Sequence, residues 1–145
     1  MALNEITKGM SNAAEMIDGN FKKIDPMVED TGWLPLPLTN PQFVSFSADL
    51  LPMYRRVGNV VSITGSIKNT AVIPASASPL IITDLPSVIV PSRDFTQRQQ
   101  GSSLNTFLYN VSATDKALTI SRYGTTTQSD IPVGAFLNIH VTYIV

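Results

Sequence analysis

The chain has 145 residues, a formal charge of −1, 14% charged residues and no cysteine. That length holds one domain of ordinary size plus an appendage. The charge balance excludes a general polyanion binder, and the lack of Cys excludes disulfides and thiolate metal sites. A β-rich domain without disulfides suits assembly in a reducing cytoplasm. No basic segment leads into an apolar core at the N-terminus, so no signal peptide is expected. No run of 18 apolar residues occurs, so no membrane insertion is expected.

Residues 1–30 differ in character from the rest. They carry three Lys against six Asp/Glu, a net of −3, whereas residues 31–145 carry a net of +2 and residues 42–145 contain no Glu. Ile6, Met10, Ala13, Ile17, Asn20 and Ile24 recur at alternating spacings of four and three. This is the a/d seam of a packed helix, broken by one polar residue. Asn4 is a candidate cap, Ser11 offers a second one, and Asp25–Pro26 is expected to end the helix. So short a helix is marginal alone in water. Residues 1–25 are therefore read as a helical stem that gathers copies of the chain into a symmetric oligomer.

Residues 26–41 read as a linker. Pro26, Pro35, Pro37 and Pro41 keep it extended and out of sheet interiors. Trp33, Leu34, Leu36 and Leu38 are too apolar for a free tether and are expected to pack on the head or on a neighbouring subunit, with Trp33 as an anchor.

Residues 42–145 read as the head. Phe43–Leu50 is a candidate strand. The segment from Pro52 to Lys68 reads as a hairpin turning at Gly58–Asn59. There Val61, Ile63 and Ile67 face in, and Ser62, Thr64 and Ser66 face out. Further strands are expected at Pro79–Leu85, Val88–Val90, Leu104–Val111 and Lys116–Tyr123. Leu137, Ile139, Val141, Tyr143 and Val145 give the last strand a clear period of two. The expected fold class is mainly β: a short N-terminal helical stem, as a trimeric bundle, followed by an antiparallel β-barrel or jelly-roll-like head.

Several segments in this order resemble the receptor-binding proteins at the tail tips of phages that infect Gram-positive bacteria. ITKGMSNAAEMIDGNFKKID is similar to their stem opening. GWLPLPL, YRRVGNVVSITGSI and ITDLPSVIVPSR are similar to their head pattern, and the terminal VTYIV fits a closing strand. The resemblance, to the lactococcal siphophage type, implies a homotrimer that adheres to host cell-wall saccharide. It also implies a virion baseplate location and a second baseplate or tail protein docked through the N-terminal helix. It implies no catalysis. In the matching strands, Leu108 stands where the family pattern has His, Asn110 where it has Asp, and Arg122 near its Trp. A different receptor saccharide, or a displaced site, follows from those changes.

The residues themselves offer little catalytic chemistry. Glycoside hydrolysis uses two carboxylates, and the head supplies only Asp49, Asp84, Asp94, Asp115 and Asp130. Asp84, Asp115 and Asp130 sit beside turns, where Asp ordinarily binds backbone. His140 is the only His, and its parity turns it away from the apolar row. No enzyme activity, metal or cofactor is expected. Saccharide sites pair an aromatic or apolar platform with planar polar groups. Thr106, Tyr109, Asn110, Arg122 and Tyr123 supply those types on two adjacent strands and are the candidate saccharide-binding residues. The competing reading puts a tyrosine ring in the core. Arg93, Asp94, Arg98 and Gln99 form a second polar set in an expected loop. The alternative function is that of a structural virion protein, a trimeric baseplate adaptor or fibre without a ligand.

Overall fold

A computed structural model describes residues 2–77, 79–101 and 104–145, with the side chains of residues 26 and 27 left undescribed. One helix precedes two antiparallel sheets that close into a half-barrel. Helix α1 spans Ala13–Val28. It begins later than the seam suggests, because the chain reverses first. Met10 N–H bonds the Thr7 carbonyl at 3.3 Å, and Gly9 takes the left-handed region at φ +86° that glycine adopts without strain. Ile6 and Met10 therefore lie outside the helix. The preceding residues run back along it as a strap. Asn4 N–H donates to Asn20 Oδ1 at 2.7 Å, and Asn20 Nδ2 donates to the Asn4 carbonyl at 2.9 Å. The polar break in the seam is thus the residue that holds the strap. The helix also passes Pro26, at the loss of the backbone bond a proline cannot donate.

The next segment ties the helix to the head. Thr31 N–H donates to the Arg56 carbonyl, and Gly58 N–H to the Glu29 carbonyl. Arg55 grips Asp30 through Nε at 2.9 Å and Nη2 at 2.5 Å. The Arg55 hydrogen bonds, then that of Gly32 N–H, hold the Asp30 carboxyl down at about 2, below the ordinary carboxylate range. A depressed carboxyl stabilises the native junction above its unfolded pKa, and that contribution is lost as pH falls toward 2. A carbon-detected NMR titration should place the Asp30 midpoint near 2, and Arg55→Gln should raise it toward the ordinary range, with the Gly32 N–H bond still holding it down in part. An unshifted Asp30 in the unsubstituted protein would show that the pair does not form in solution.

The first sheet contains β1 (Leu34–Pro35), β2 (Phe43–Ser45), β3 (Met53–Val57), β4 (Val60–Asn69) and β9 (Leu137–Ile144). Strand β4 is its spine. It pairs with β3 and then β2 along one side and with β9 along the other; β1 extends β3. The second sheet contains β5 (Leu80–Asp84), β6 (Phe95–Gln100), β7 (Thr106–Ser112) and β8 (Ala117–Gly124), in the order β5-β8-β7-β6. The inner faces meet in one core that includes Val61, Ile63, Ile67, Ile82, Ile120, Leu137, Ile139 and Val141.

Two expected strands change form. Only Phe43–Ser45 of the segment to Leu50 is extended, and Ala48–Leu50 makes a 3-10 turn. Ser87–Ile89 is another 3-10 turn that buries Ile89 rather than a short strand at Val88–Val90. Ser66 is buried, against its expected outward parity. The alternation breaks at Gly65, φ +133°, where the Leu51–Pro52 backbone crosses so closely that an added Cβ would lie 2.6 Å from the Leu51 carbonyl oxygen.

The proline-rich segment is also part of the fold. Leu36 is buried and Leu38 packs against the core, while Trp33 and Leu34 remain exposed. Asn40 donates its N–H to the Ile82 carbonyl and Nδ2 to the Ile81 carbonyl, and Thr83 Oγ1 bonds the Pro37 carbonyl. These bonds cover the free edge of β5, a device that removes a template for edge-to-edge pairing. On the opposite side Gln99 Nε2 donates to the His140 carbonyl at 2.8 Å, joining β6 to β9.

Candidate functional site

The outer face of the second sheet carries the candidate site. Thr96 faces Asn110 across β6 and β7, and Asn110 faces Thr119 across β7 and β8. Leu108 lies between Arg98 and Ser121 in the next row. A shallow, open depression of about 510 Å³ is lined there by Pro79, Thr96, Leu108, Asn110, Thr119, Ser121, Arg122 and Gln128. None of these lining residues is acidic.

A β-bulge decides which side chains reach this face. Leu108 pairs with Ser121 but Thr106 pairs with Gly124, so Arg122 and Tyr123 together oppose Phe107. Simple alternation from the buried Ile120 would put Arg122 inside and Tyr123 outside. The extra residue reverses both. Arg122 takes φ +53° and is exposed, whereas Tyr123 is buried with its ring stacked on Phe107 at 6.4 Å. Gly124, φ +144°, follows where an added Cβ would overlap the Thr127 carbonyl oxygen. Such left-handed backbone at a non-glycine residue costs roughly 1–3 kcal/mol and persists only where its surroundings enforce it.

The polar groups are partly committed. Thr96 Oγ1 donates to Asn110 Oδ1 at 3.2 Å, which leaves Asn110 Nδ2 to face the depression. Gln128 Nε2 donates to the Ala75 carbonyl at 2.6 Å, which leaves its Oε1 as an acceptor. Among the described residues the Arg122 guanidinium makes no hydrogen bond or ion pair.

The five sequence-derived candidates therefore separate. Asn110 and Arg122 line the depression. Thr106 lies on the same strand, half-buried, with Oγ1 bonded to the Gly124 carbonyl at 3.4 Å. Tyr109 and Tyr123 face the core instead. Burial raises both phenol pKa values, that of Tyr109 far above the usual range. The Tyr109 hydroxyl is enclosed without a hydrogen-bond partner among the described residues. The apolar element on the face is Leu108 with Pro79, not an aromatic ring. Thr96 and Gln128 were not singled out from the sequence, and Leu108 only as a departure from the family pattern. Parity with Asn110 would have found Leu108, while Thr96 waits on recognising β6.

The second polar set is not a loop. Arg98 and Gln99 belong to β6, and Arg93 and Asp94 lead into it. A groove of about 650 Å³ adjoins them, lined by Val60, Ser92, Arg93, Asp94, Phe95, Thr142, Tyr143 and Ile144. It is the roomier recess, but its walls are mainly apolar, and Asp94 is engaged with Ala113 N–H at 2.8 Å. Asp115 bonds Ser112, Asp130 accepts Ala75 N–H, and His140 is exposed on the outer face of the first sheet. No group of three or more metal-ligating side chains forms among the described residues.

Comparison with solved structures finds likeness over nearly the whole chain. The receptor binding protein (gp15) of Listeria phage PSA aligns with a TM-score of 0.51 and 18% identity, over 96% of this chain and 80% of that one. The two chains share a fold. No family model and no curated protein matches the sequence.

Proposed function

We propose that the chain is a receptor-binding protein of a phage tail tip or baseplate, in a phage of Gram-positive bacteria. In this reading it adheres to host cell-wall saccharide as a homotrimer. The observation that carries the reading is fold likeness to a phage receptor binding protein across 96% of the chain. The depression on the β5-β8-β7-β6 sheet supports a saccharide ligand. It offers an open amide nitrogen, hydroxyls, an unpaired guanidinium and a small apolar floor, which together suit a sugar's mixed surface. Adhesion of this kind requires no bond to be broken, so the reading is of a binder and not of an enzyme. The stem, with α1, would dock into another tail or baseplate protein, and the trimer would assemble in the host cytoplasm before it joins the virion.

Adhesion of the purified chain to host cell wall tests the proposal. Arg122→Ala and Asn110→Ala should each weaken it a few-fold per head, because one lost hydrogen bond is worth about 0.5–1.5 kcal/mol. The melting curve should stay within the scatter for surface substitutions. Failure of the unsubstituted chain to bind any wall fraction would favour the structural adaptor reading. Binding that survives both substitutions but falls with Arg93→Ala would move the site to the groove beside β6.

A further inference from the structure

We propose that the free edge of β9, at the end where the stem leaves the head, accepts an extended peptide segment bearing an acidic side chain, supplied by the virion protein that holds the stem. This rests on the reading of the stem as a docking element. Strand β9 pairs with β4 alone, so its other edge is open. Two bonds fix the phase of that edge. Gln99 Nε2 donates to the His140 carbonyl, which therefore points away from β4, and Val145 N–H donates to the Asn59 carbonyl on the β4 side. Main-chain groups alternate sides along an antiparallel strand, so those of Thr142 and Ile144 face outward with His140. At His140 the edge is bridged to β6. Beyond it, Thr142 and Ile144 border the groove whose far wall is Ser92, Arg93 and Phe95.

This stretch of edge carries none of the devices that block strand addition. Residues 141–145, Val-Thr-Tyr-Ile-Val, hold no Lys, no Pro and no bulge. The floor beside it is apolar. Val57, Val60 and Ile144 stand side by side across β3, β4 and β9, and are 41%, 47% and 66% exposed. Arg93 is exposed next to that floor and makes no hydrogen bond or ion pair among the described residues, while Asp94 turns to Ala113 N–H. An incoming strand would gain main-chain bonds from β9, apolar contact from the floor and a carboxylate partner in Arg93.

The chain's own extended segments are already engaged. The strap is held on α1 by Asn20 and Lys23. Thr31 and Leu36 donate their N–H groups to the Arg56 and Pro52 carbonyls, Asn40 is bonded to β5, and the Gln42 carbonyl accepts Thr70 N–H. A second copy therefore has no such strand to lend, and the occupant comes from a different chain. The position of the groove says which one. Its floor adjoins the Gly58–Asn59 turn, where Gly58 N–H donates to the Glu29 carbonyl at the foot of α1. A protein that grips the stem meets this end of the head first.

The test uses the full-length chain and a short blocked peptide that alternates Val with Thr and carries one Glu. At about 1 mM peptide, the amide NMR signals of Thr142 and Ile144 should shift and gain protection from hydrogen exchange. Those of Val141 and Tyr143, already paired to β4, should not. Replacing the peptide's Glu by Lys should weaken binding about tenfold, and salt raised from about 50 mM to about 500 mM should shrink that difference. Arg93→Gln should abolish it. Ile144→Pro removes an outward N–H and no ladder bond, so binding should fall about fivefold with the other head signals kept. N-methylation of the peptide at its edge-facing residues should cause the same loss with the protein unaltered. Binding that survives both changes, or no shift at Thr142 and Ile144, would overturn the strand site. Tighter binding of a peptide copying residues 2–8 would make a second copy the occupant and overturn the assignment to another protein. Host-wall adhesion, read separately, should be unchanged in Arg93→Gln and Ile144→Pro. Its loss in either would give the groove to the saccharide, whereas intact adhesion without peptide binding would overturn the strand site alone.

Discussion

Asn69→Ala is expected to destabilise the head more than any substitution at the candidate site. Asn69 is buried at the end of β4, where its Nδ2 donates to the carbonyls of Ala71, Ile131 and Pro132 at 2.8–3.2 Å. Its Oδ1 accepts Ala135 N–H at 3.0 Å, and its own carbonyl accepts Gly134 N–H at 2.9 Å. One side chain therefore fixes residues 131–135, the approach to β9, against the spine of the first sheet. Alanine would remove the four side-chain bonds, while the Gly134 bond to the Asn69 carbonyl, the Ile73–Ile131 bond and the Ala135–Pro132 bond would remain. Each such bond is worth about 0.5–1.5 kcal/mol, and a loss of roughly 3 kcal/mol would be a large share of a typical stability of about 5–15 kcal/mol. The melting temperature should fall by about 10 °C. Asn69→Asp should be at least as damaging, because it turns a carboxylate toward carbonyl oxygens. A melt unchanged by either substitution would show that residues 131–135 hold their place without Asn69.

The strands that were legible share one property: a buried row of apolar side chains at every second position. Val61-Ile63 in β4 and Leu137-Ile139-Val141-Tyr143 in β9 show it directly, and Gly58–Asn59 marks the turn between β3 and β4. Strand β6, Phe-Thr-Gln-Arg-Gln-Gln, shows it nowhere. It is an edge strand whose inward-leaning Gln99 bonds the β9 backbone instead of filling the core, so hydrophobic alternation had nothing to register. The helix erred in the other direction. The seam continues through Ile6 and Met10, but a left-handed Gly9 turns the chain before the pattern ends.

The site was half legible for a similar reason. Period-two reasoning places Tyr109 with Phe107 and Val111, and all three are buried. It cannot place Arg122 and Tyr123, because the bulge sets these two β8 residues opposite the single Phe107 of β7. A bulge depends on pairing between strands, and its local sign is slight. Gly124 is the only hint, since an added Cβ there would collide with the Thr127 carbonyl. Asn110 and Arg122 both line the depression, one by parity and the other by a local break in parity.

Ile17→Asp is expected to have the largest effect on adhesion while leaving the head untouched. Helix α1 buries none of its described side chains, and Ile17, Phe21 and Val28 are 43%, 60% and 61% exposed. The strap engages Asn20 and Lys23 and leaves these apolar side chains uncovered. A 16-residue helix with that surface is marginal by itself, so packing against copies of itself is the proposed source of its order. A carboxylate at Ile17 would place charge in the seam between copies, where an unpaired ion is strongly disfavoured. Light scattering should report three chains for the unsubstituted protein and one for Ile17→Asp. Wall adhesion should then drop by about 10²–10⁴, the avidity that linked heads supply. The melt of the head should remain, because its hydrophobic core begins at Leu36 and takes nothing from the helix. An unsubstituted chain that scatters as a monomer at micromolar concentration would remove the stem from the proposal, and the apolar face of α1 would then belong to the docking contact with another virion protein.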